Sequence, residues 1–304
     1  MVTASAGEAL RTEDSRFDGL PDWPYAPQYV DDLPGYEGLR IHYIDEGARD
    51  ATRVFLCLHG EPTWAYLYRK MIPVFAGSGA RVVCPDWLGF GRSDKPVNDA
   101  TYGFHFHRTM MLAFIERLDL RGITLVVQDW GGLLGLTLPM DQPDRFARLL
   151  VMNTALATGR DLGPGFSGWR DYVAANPDLD CARLMARACP LLSAPEAAAY
   201  SAPYPDIRYK AGVRRFPQMV MTTPDMEGVQ TSRRAEVFWR EQWTGQSFMA
   251  VGVKDPVLGL PVMQDLRARI RNCPAPFEVA EGGHFLQEWG DEVANAALSH
   301  WRDI

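Results

Sequence analysis

Short apolar runs and amphipathic segments alternate along most of the chain. Continuous apolar runs are typical of strands buried on both faces, and apolar residues at helical spacing indicate amphipathic helices. The runs predict strands at residues 39–45, 53–58, 80–84, 123–127, 149–153, 247–253 and 277–280. Helical spacing predicts helices at residues 66–75, 105–118 and 291–301. The alternation favours an α/β protein with a mostly parallel sheet, in which residues 39–45 form an antiparallel edge strand.

The pattern changes between about residues 155 and 228, where strand-like runs vanish and prolines and helix formers dominate. We interpret this segment as a helical cap inserted over the carboxyl edge of the sheet. An independent domain of only ~75 residues would hold little core. The predicted organisation is therefore a first part of the core at 1–154, a cap at 155–228 and a second part of the core at 229–304.

A strand, a tight glycine-containing turn and a helix meet around Asp129. The apolar run 123–127 stops at Gln128, and Asp129-Trp130-Gly131-Gly132 leads into another apolar stretch. A strand–turn–helix of this kind can lift a nucleophile above the edge of a sheet. The alternative is that Asp129 only caps the helix, because aspartate is a favoured N-cap residue.

Two further polar residues follow predicted strands. Asp255 comes after the strand at 247–253, and His284 comes after the strand at 277–280. Alone, Asp255 could be a turn residue and His284 an ordinary satisfied histidine. Together with Asp129 they stand in the order nucleophile, acid, base, beyond strand ends where α/β sheets bind their ligands.

An aspartate nucleophile selects a reaction class. Its carboxylate attacks an sp³ carbon and forms an ester with the substrate. His284 then deprotonates a water that attacks the carboxyl carbon of Asp129, while Asp255 orients the imidazole. The predicted oxyanion donors are the backbone N–H groups of Trp130 and Glu61.

The leaving group distinguishes two reactions of such a nucleophile. A departing halide needs hydrogen-bond donors but no proton, whereas an epoxide oxygen needs an acid. An indole N–H donates without giving up its proton. Trp130 follows the nucleophile and Trp169 lies in the predicted cap, so this pair could hold a halide. Trp169 could instead be a hydrophobic anchor between cap and core.

Composition and charge exclude several other classes of protein. A net charge of −7 argues against nucleic acid and anionic membranes as partners. The five scattered cysteines form no CxxC pair, and the glycine-rich loop 86–94 lacks a nucleotide-binding motif. Residues 1–18 lack the apolar stretch of a signal peptide, and no apolar run is long enough to span a membrane. We therefore expect a cytoplasmic protein without metal or cofactor, and a monomer.

Four motifs together resemble the haloalkane dehalogenases. They are HGEPTW at 59–64, VQDWGG at 127–132, GVKD at 252–255 and GHF at 283–285. The resemblance runs over most of the chain from about residue 10. It is closest to the subfamily of the 1,2-dichloroethane-degrading enzyme, where one tryptophan after the nucleophile and one in the cap hold the halide. Another subfamily has Asn where this chain has Glu61.

The resemblance implies an α/β-hydrolase fold, with a mostly parallel eight-stranded sheet flanked by helices and a helical cap. It implies halide binding by Trp130 and Trp169. The implied reaction converts a haloalkane and water to a primary alcohol, a halide ion and a proton. The residues implied to line an apolar cavity are Phe166, Leu133, Pro217, Val220, Val257 and Leu258.

Two alternative functions stay open at this point. An epoxide hydrolase shares the fold, the aspartate, the acid and the histidine. Its proton donor is usually a tyrosine from the cap, and the cap of this chain offers Tyr172, Tyr200, Tyr204 and Tyr209. A ligand-binding relative without activity would have a damaged triad, whereas all three members are present here.

Overall fold

The computed structural model describes residues 8–302. Its strands form one eight-stranded sheet and one two-stranded sheet. In chain order the strands are β1 Ala9–Leu10, β2 Gln28–Val30, β3 Ile41–Glu46, β4 Val54–Leu58, β5 Arg81–Pro85, β6 Lys95–Pro96, β7 Ile123–Gln128, β8 Phe146–Met152, β9 Gln246–Gly252 and β10 Phe277–Val279. All seven predicted strands are present.

The large sheet has the order β10-β9-β8-β7-β4-β5-β3-β2. All neighbours are parallel except that β3 is antiparallel to both β5 and β2. Along β4, Leu56 and Leu58 join the apolar core on one face, while Phe55 and Cys57 join the core on the other. Burial on both faces explains why the strands are continuous apolar runs.

The helices cover both faces and the carboxyl edge of the sheet. They are α1 Ile72–Gly77, α2 Phe104–Arg117, α3 Asp129–Gly135, α4 Gly163–Ala175, α5 Cys181–Ala188, α6 Ala194–Ala199, α7 Ala211–Met219, α8 Val229–Val237, α9 Leu260–Ala268 and α10 Gly290–Arg302. Helices α4 to α7 fall inside the predicted cap, whose boundaries stay a prediction. Among the described residues, no helix combines the length and the apolar character needed to cross a membrane.

Two predictions about local structure were wrong. The helix predicted at 66–75 is a 3₁₀ turn at Ala65–Tyr68 followed by the separate helix α1. Pro73 lies in the first turn of α1, where its missing N–H is tolerated, but it cannot continue a helix from the preceding residues. Strand β3 is not an edge strand, because the short strand β2 pairs along its outer side.

Close packing of backbone against backbone lets α3 leave β7 at a sharp angle. A Cβ atom on Gly131 would lie 1.9 Å from the carbonyl oxygen of Leu58 in β4. On Gly132 it would lie 2.1 Å from Oγ1 of Thr154. Only glycine fits at these two positions, so the first turn of α3 can sit directly on the ends of its neighbouring strands.

Buried charges join the cap to the core on the side of α6. The guanidinium of Arg69 pairs with Glu288 at 2.7 Å and with Glu196 of α6 at 3.0 Å. Tyr200 donates a short hydrogen bond to Glu288, and the indole of Trp64 donates to the Ala199 carbonyl at 3.1 Å. The pair of Arg69 and Glu288 is shielded from water, so removing one partner would leave an uncompensated charge.

We expect Gly131→Ala to lower the free energy of unfolding by about 1–3 kcal/mol, because the new methyl group meets a backbone oxygen that cannot move aside. Gly168→Ala is the matched control. It lies within α4 with no atom within 4 Å of its added Cβ, so it should be neutral or stabilise by roughly 0.5–1 kcal/mol. Urea unfolding followed by circular dichroism measures both. Equal stability of the two variants would contradict the packing argument.

Candidate active site

Asp129 occupies the strained turn between β7 and α3. Its φ is 49°, in the left-handed region that non-glycine residues rarely adopt. Neighbouring groups stabilise this backbone conformation. The Asp129 N–H donates to the Asn153 carbonyl at 3.1 Å, and the Asp129 carbonyl accepts from the Thr154 hydroxyl at 2.7 Å. This conformation presents the Asp129 carboxylate to a cavity beneath the cap.

One oxygen of that carboxylate is already held by the loop after β4. The backbone N–H of Glu61 donates to Oδ1 of Asp129 at 2.8 Å. A Cβ on Gly60 would lie 2.4 Å from the same oxygen, so only glycine allows this approach. The predicted donor Glu61 is therefore in contact with Asp129, and Trp130 follows as the next residue of α3.

The side chain of Glu61 has a role that the sequence did not indicate. It is buried, and its Oε1 has no hydrogen-bond partner among the described residues. Burial, together with the negative charge of Asp129, raises the pKa of this carboxyl group well above its usual range. This shift favours the protonated form of Glu61, which opposes a second charged carboxylate beside Asp129.

The structure brings His284 and Asp255 next to Asp129. Nδ1 of His284 lies 2.8 Å from Oδ2 of Asp255. Nε2 of His284 lies 3.6 Å from Oδ2 of Asp129, beyond direct hydrogen-bond distance. The other oxygen of Asp255 accepts from the N–H groups of Val257 and Leu258 at 2.9 and 3.0 Å.

The pKa values of this pair follow from burial and charge. Burial alone would raise the pKa of Asp255, but the charge of His284 and the hydrogen bonds it accepts lower it to about 2. Burial alone would lower the pKa of His284, but the charges of Asp255 and Asp129 outweigh it and raise the value to about 10. Alkylation of Asp129 would remove one of these two charges and lower the pKa of His284.

Two polar residues that the sequence reasoning missed support these side chains. Asn153 donates from Nδ2 to Oδ2 of Asp255 at 3.0 Å. Gln128 places its amide nitrogen 3.0 Å from Nε2 of His284. Asn153 directly follows β8, and Gln128 ends β7, so the only available signal was a polar residue at the end of an apolar strand.

A cavity of about 840 Å³ lies between the cap and the sheet. Asp129, Asp255, His284 and Glu61 line it. All the residues implied by the resemblance line it as well: Trp130, Leu133, Phe166, Trp169, Pro217, Val220, Val257 and Leu258. Lining residues that were not predicted include Leu162, Leu184, Leu191, Val262, Phe285 and Trp289.

The tryptophan indoles of the chain fall into two groups, and the two predicted indoles share with Trp23 and Trp301 the lack of a protein acceptor, but unlike those two they line the cavity. The indoles of Trp64, Trp87, Trp239 and Trp243 donate to protein acceptors. Among the described residues, none accepts a hydrogen bond from the indole of Trp130 or Trp169. Trp130 is buried against Phe216, with ring centroids 4.7 Å apart, whereas Trp169 is half-buried on α4. Both N–H groups are thus available to a ligand.

The glycine-rich loop 86–94 contacts the loop after β4, since the Trp87 indole donates to the His59 carbonyl at 2.8 Å, and Asp86 organises it. The Asp86 carboxylate accepts from the N–H groups of Ala65 and Arg92 at 2.7 and 2.8 Å, and it pairs with Nδ1 of His42 at 2.6 Å. In residues 8–302, no three His, Cys, Asp or Glu side chains converge so as to hold a metal ion. The chemistry of the site is that of a carboxylate, an imidazole and hydrogen-bond donors in an apolar cavity.

Known proteins with this architecture identify the family. A family model described as the α/β hydrolase fold matches residues 53–291. A haloalkane dehalogenase of Psychrobacter cryohalolentis is 44% identical over 97% of this chain and 98% of its own length. A haloalkane dehalogenase of Mycolicibacterium paratuberculosis is 39% identical over 95% of this chain and 97% of its own length.

A solved structure is similar over the same range. Haloalkane dehalogenase DpaA from Paraglaciecola agarilytica NO2, described as tetrameric, has 53% sequence identity and a TM-score of 0.95. The match covers 96% of this chain and 98% of that one. With these similarities over nearly its full length, the chain belongs to the haloalkane dehalogenases, hydrolases of the α/β-hydrolase fold that act on carbon–halide bonds.

Proposed function

We propose that Asp129 is the nucleophile of this dehalogenase and that its Oδ2 attacks the carbon that bears the halogen. The main support for this proposal is the hydrogen bond from the Glu61 N–H to Oδ1, which leaves Oδ2 free beside the cavity. The carbon–halogen bond breaks with its electron pair on the halide, and an ester forms between the substrate and Asp129. Because the halide leaves without taking a proton, this step needs no acid, and that suits a cavity with a mostly apolar lining.

In the second step, His284 removes a proton from water, and the resulting hydroxide attacks the carboxyl carbon of Asp129. Negative charge then develops on Oδ1, where the N–H groups of Glu61 and Trp130 stabilise it. One such donor typically contributes roughly 3 kcal/mol to the transition state. Asp255 balances the imidazolium. Collapse of the intermediate breaks the ester bond, and the departing alkoxide takes the proton of the imidazolium and leaves as the primary alcohol. The remaining proton on the Asp129 carboxyl group is lost to solvent, which restores the carboxylate.

For halide binding we propose the pair Trp130 and Trp169. Two indole N–H groups without a protein acceptor, one on α3 and one on α4, belong to residues that line the same cavity, and this supports the assignment. Indoles suit a departing halide because they donate hydrogen bonds and keep their protons. The raised pKa of Glu61 adds to the argument, since a charged carboxylate there would repel the anion.

The epoxide hydrolase alternative is disfavoured by the position of the cap tyrosines. Among the described residues, no tyrosine lines the cavity. The Tyr200 hydroxyl is bonded to Glu288, and that of Tyr204 donates to the Pro62 carbonyl at 3.3 Å. Halide release from 1,2-dibromoethane, measured beside hydrolysis of styrene oxide, tests the choice. Turnover of the oxide alone would overturn the dehalogenase assignment.

The sequence predicts a monomer in the cytoplasm, and both remain proposals. The relative DpaA is described as tetrameric, so a tetramer is the alternative to the predicted monomer for this chain. Light scattering on the purified protein separates one chain from four.

We expect His284→Phe to stop turnover after the first step, because the ester forms without a base but water attacks it slowly. Mass spectrometry after incubation with 1,2-dibromoethane should find the bromoethyl group on the peptide that contains Asp129. Asp129→Ala is the control and should carry no added mass and show no turnover. An unmodified Asp129 in the His284 variant would contradict the assigned roles.

We expect Trp169→Phe to weaken bromide binding by roughly tenfold or more, since a hydrogen bond to a charged group contributes about 1.5–3 kcal/mol. Quenching of tryptophan fluorescence by bromide measures the dissociation constant. Trp23→Phe, which removes a tryptophan outside the cavity lining, should leave that constant unchanged. If Trp169→Phe binds bromide as tightly as this control, the cap donor is misassigned.

A further inference from the structure

The cavity runs from a buried end at Asp129 to a rim that is exposed to solvent. Trp130, Leu133 and Phe166 line it and are buried. The lining residues that form the exposed rim are Arg187, Pro190, Leu191, Lys254, Pro256 and Glu281. A volume of about 840 Å³ is that of a site for a drug-sized ligand, far longer than a two-carbon haloalkane. A long substrate can therefore have its halogen at Asp129 and its other end at the rim.

Three of the rim residues are charged, and two of them form a pair. The ammonium group of Lys254 contacts the carboxylate of Glu281, so these two charges offset each other. In the part of the chain that the structure describes, the guanidinium of Arg187 has no carboxylate within ion-pair distance and donates no hydrogen bond to a protein acceptor. Arg187 therefore offers a positive charge and five N–H donors to a ligand at the rim.

The position of Arg187 follows from the face that α5 turns to the cavity. Leu184, Arg187 and Ala188 are spaced so that they lie on one side of a helix, and all three line the cavity. A Cβ atom on Gly283 would lie 3.5 Å from the carbonyl oxygen of Ala188, so the end of α5 contacts the loop that carries His284. Arg187 thus stands where the cap meets the loop after β10.

We propose that Arg187 forms a binding subsite for a carboxylate at the far end of the substrate, so that this dehalogenase accepts ω-haloalkanoates. The planar guanidinium matches a carboxylate, to which it can donate two parallel hydrogen bonds. The alkyl chain would lie along the apolar lining between the rim and Asp129. The products are the ω-hydroxyalkanoate, a halide ion and a proton. The inference rests on the proposed function, in which Asp129 attacks the carbon that bears the halogen.

The other charges of the cavity favour one orientation of such a substrate. Asp255 is paired with His284, and Glu281 is paired with Lys254. Asp129 at the buried end repels an anion, and burying an unpaired carboxylate costs far more than leaving it at the surface. The carboxylate therefore stays at the rim, and the end that bears the halogen enters the cavity.

The test compares three kinds of substrate that differ only at the far end. They are the ω-bromoalkanoates of six, eight and ten carbons, the ω-bromoalcohols of the same lengths, and the corresponding ω-bromoalkyl trimethylammonium ions. Bromide release at varied substrate concentration gives kcat/KM for each of them. The variants are Arg187→Gln and Arg187→Glu. Arg183→Gln is the matched control, because Arg183 is exposed on the same helix but lies outside the cavity lining.

The measured quantity is the ratio of kcat/KM for the carboxylate to kcat/KM for the alcohol of the same length, since a general change in the site cancels in it. We expect this ratio to fall about fivefold in Arg187→Gln at the chain length whose carboxylate reaches the rim, which is the effect of one exposed ion pair. In Arg187→Glu the ratio should fall roughly tenfold or more, and the trimethylammonium substrate should gain relative to the alcohol, because the charge is reversed. Added sodium sulfate should reduce these differences, because salt screens exposed charges.

Arg183→Gln should keep the ratio of the unsubstituted protein. A ratio that stays within about twofold at all three lengths in both Arg187 variants overturns the inference. An equal fall in Arg183→Gln also overturns it, because that result reflects only the overall charge of the protein. Turnover of the alcohols by the unsubstituted protein without turnover of any carboxylate is a third contrary result. If the unsubstituted protein releases no bromide from any of these substrates, the proposed function itself fails.

Discussion

The left-handed backbone at Asp129 is the constraint on which the rest of the site depends. A non-glycine residue in this region costs about 1–3 kcal/mol and persists only where its surroundings enforce it. Here the enforcement comes from the parallel strands β4, β7 and β8, whose ends contact the turn through Leu58, Asn153 and Thr154. Contacts with the ends of these strands therefore offset the conformational cost at Asp129 and keep its carboxylate above the edge of the sheet.

The electrostatics of the site depend on keeping its carboxyl groups in different states. Asp255 is charged because it accepts hydrogen bonds from backbone amides and pairs with His284. Glu61 has a raised pKa because it is buried beside the charge of Asp129, and one of its oxygens lacks a hydrogen-bond partner among the described residues. Asp129 has a backbone donor on one oxygen and an open cavity at the other. Three acids of similar intrinsic strength thus hold three different roles, set by their surroundings.

Much of this arrangement could be predicted from the sequence, and the reasons are local. Polar residues shortly beyond the ends of apolar runs pointed to Asp129, Asp255 and His284, because strand ends converge at one edge of a parallel sheet. Gln128 and Asn153 end or follow strands in the same way, yet an amide has no chemistry of its own to mark it. Their importance lies in what they touch, and that depends on the register between β7, β8 and β9.

The misjudged elements show the same limit. The helix predicted at 66–75 had suitable residues, but Pro73 cannot continue a helix from the preceding turn, and the segment divides into a 3₁₀ turn and α1. Strand β2 is three residues long, which is too short for an alternating apolar pattern to predict it. The burial of the Glu61 side chain could not be predicted from the sequence either, because it depends on how the cap packs against the loop after β4.

The ion pairs of Arg69 beneath α6 have a consequence for the conditions that the protein tolerates. Dissolved salt largely screens the attraction between exposed charges that lie farther apart than about 8–10 Å at ordinary ionic strength, but it screens buried pairs much less. Arg69 and Glu288 are fully enclosed, whereas Glu196 is partly exposed. The attraction between Arg69 and Glu288 therefore depends little on ionic strength, and this part of the contact between α6 and the core persists where surface ion pairs weaken.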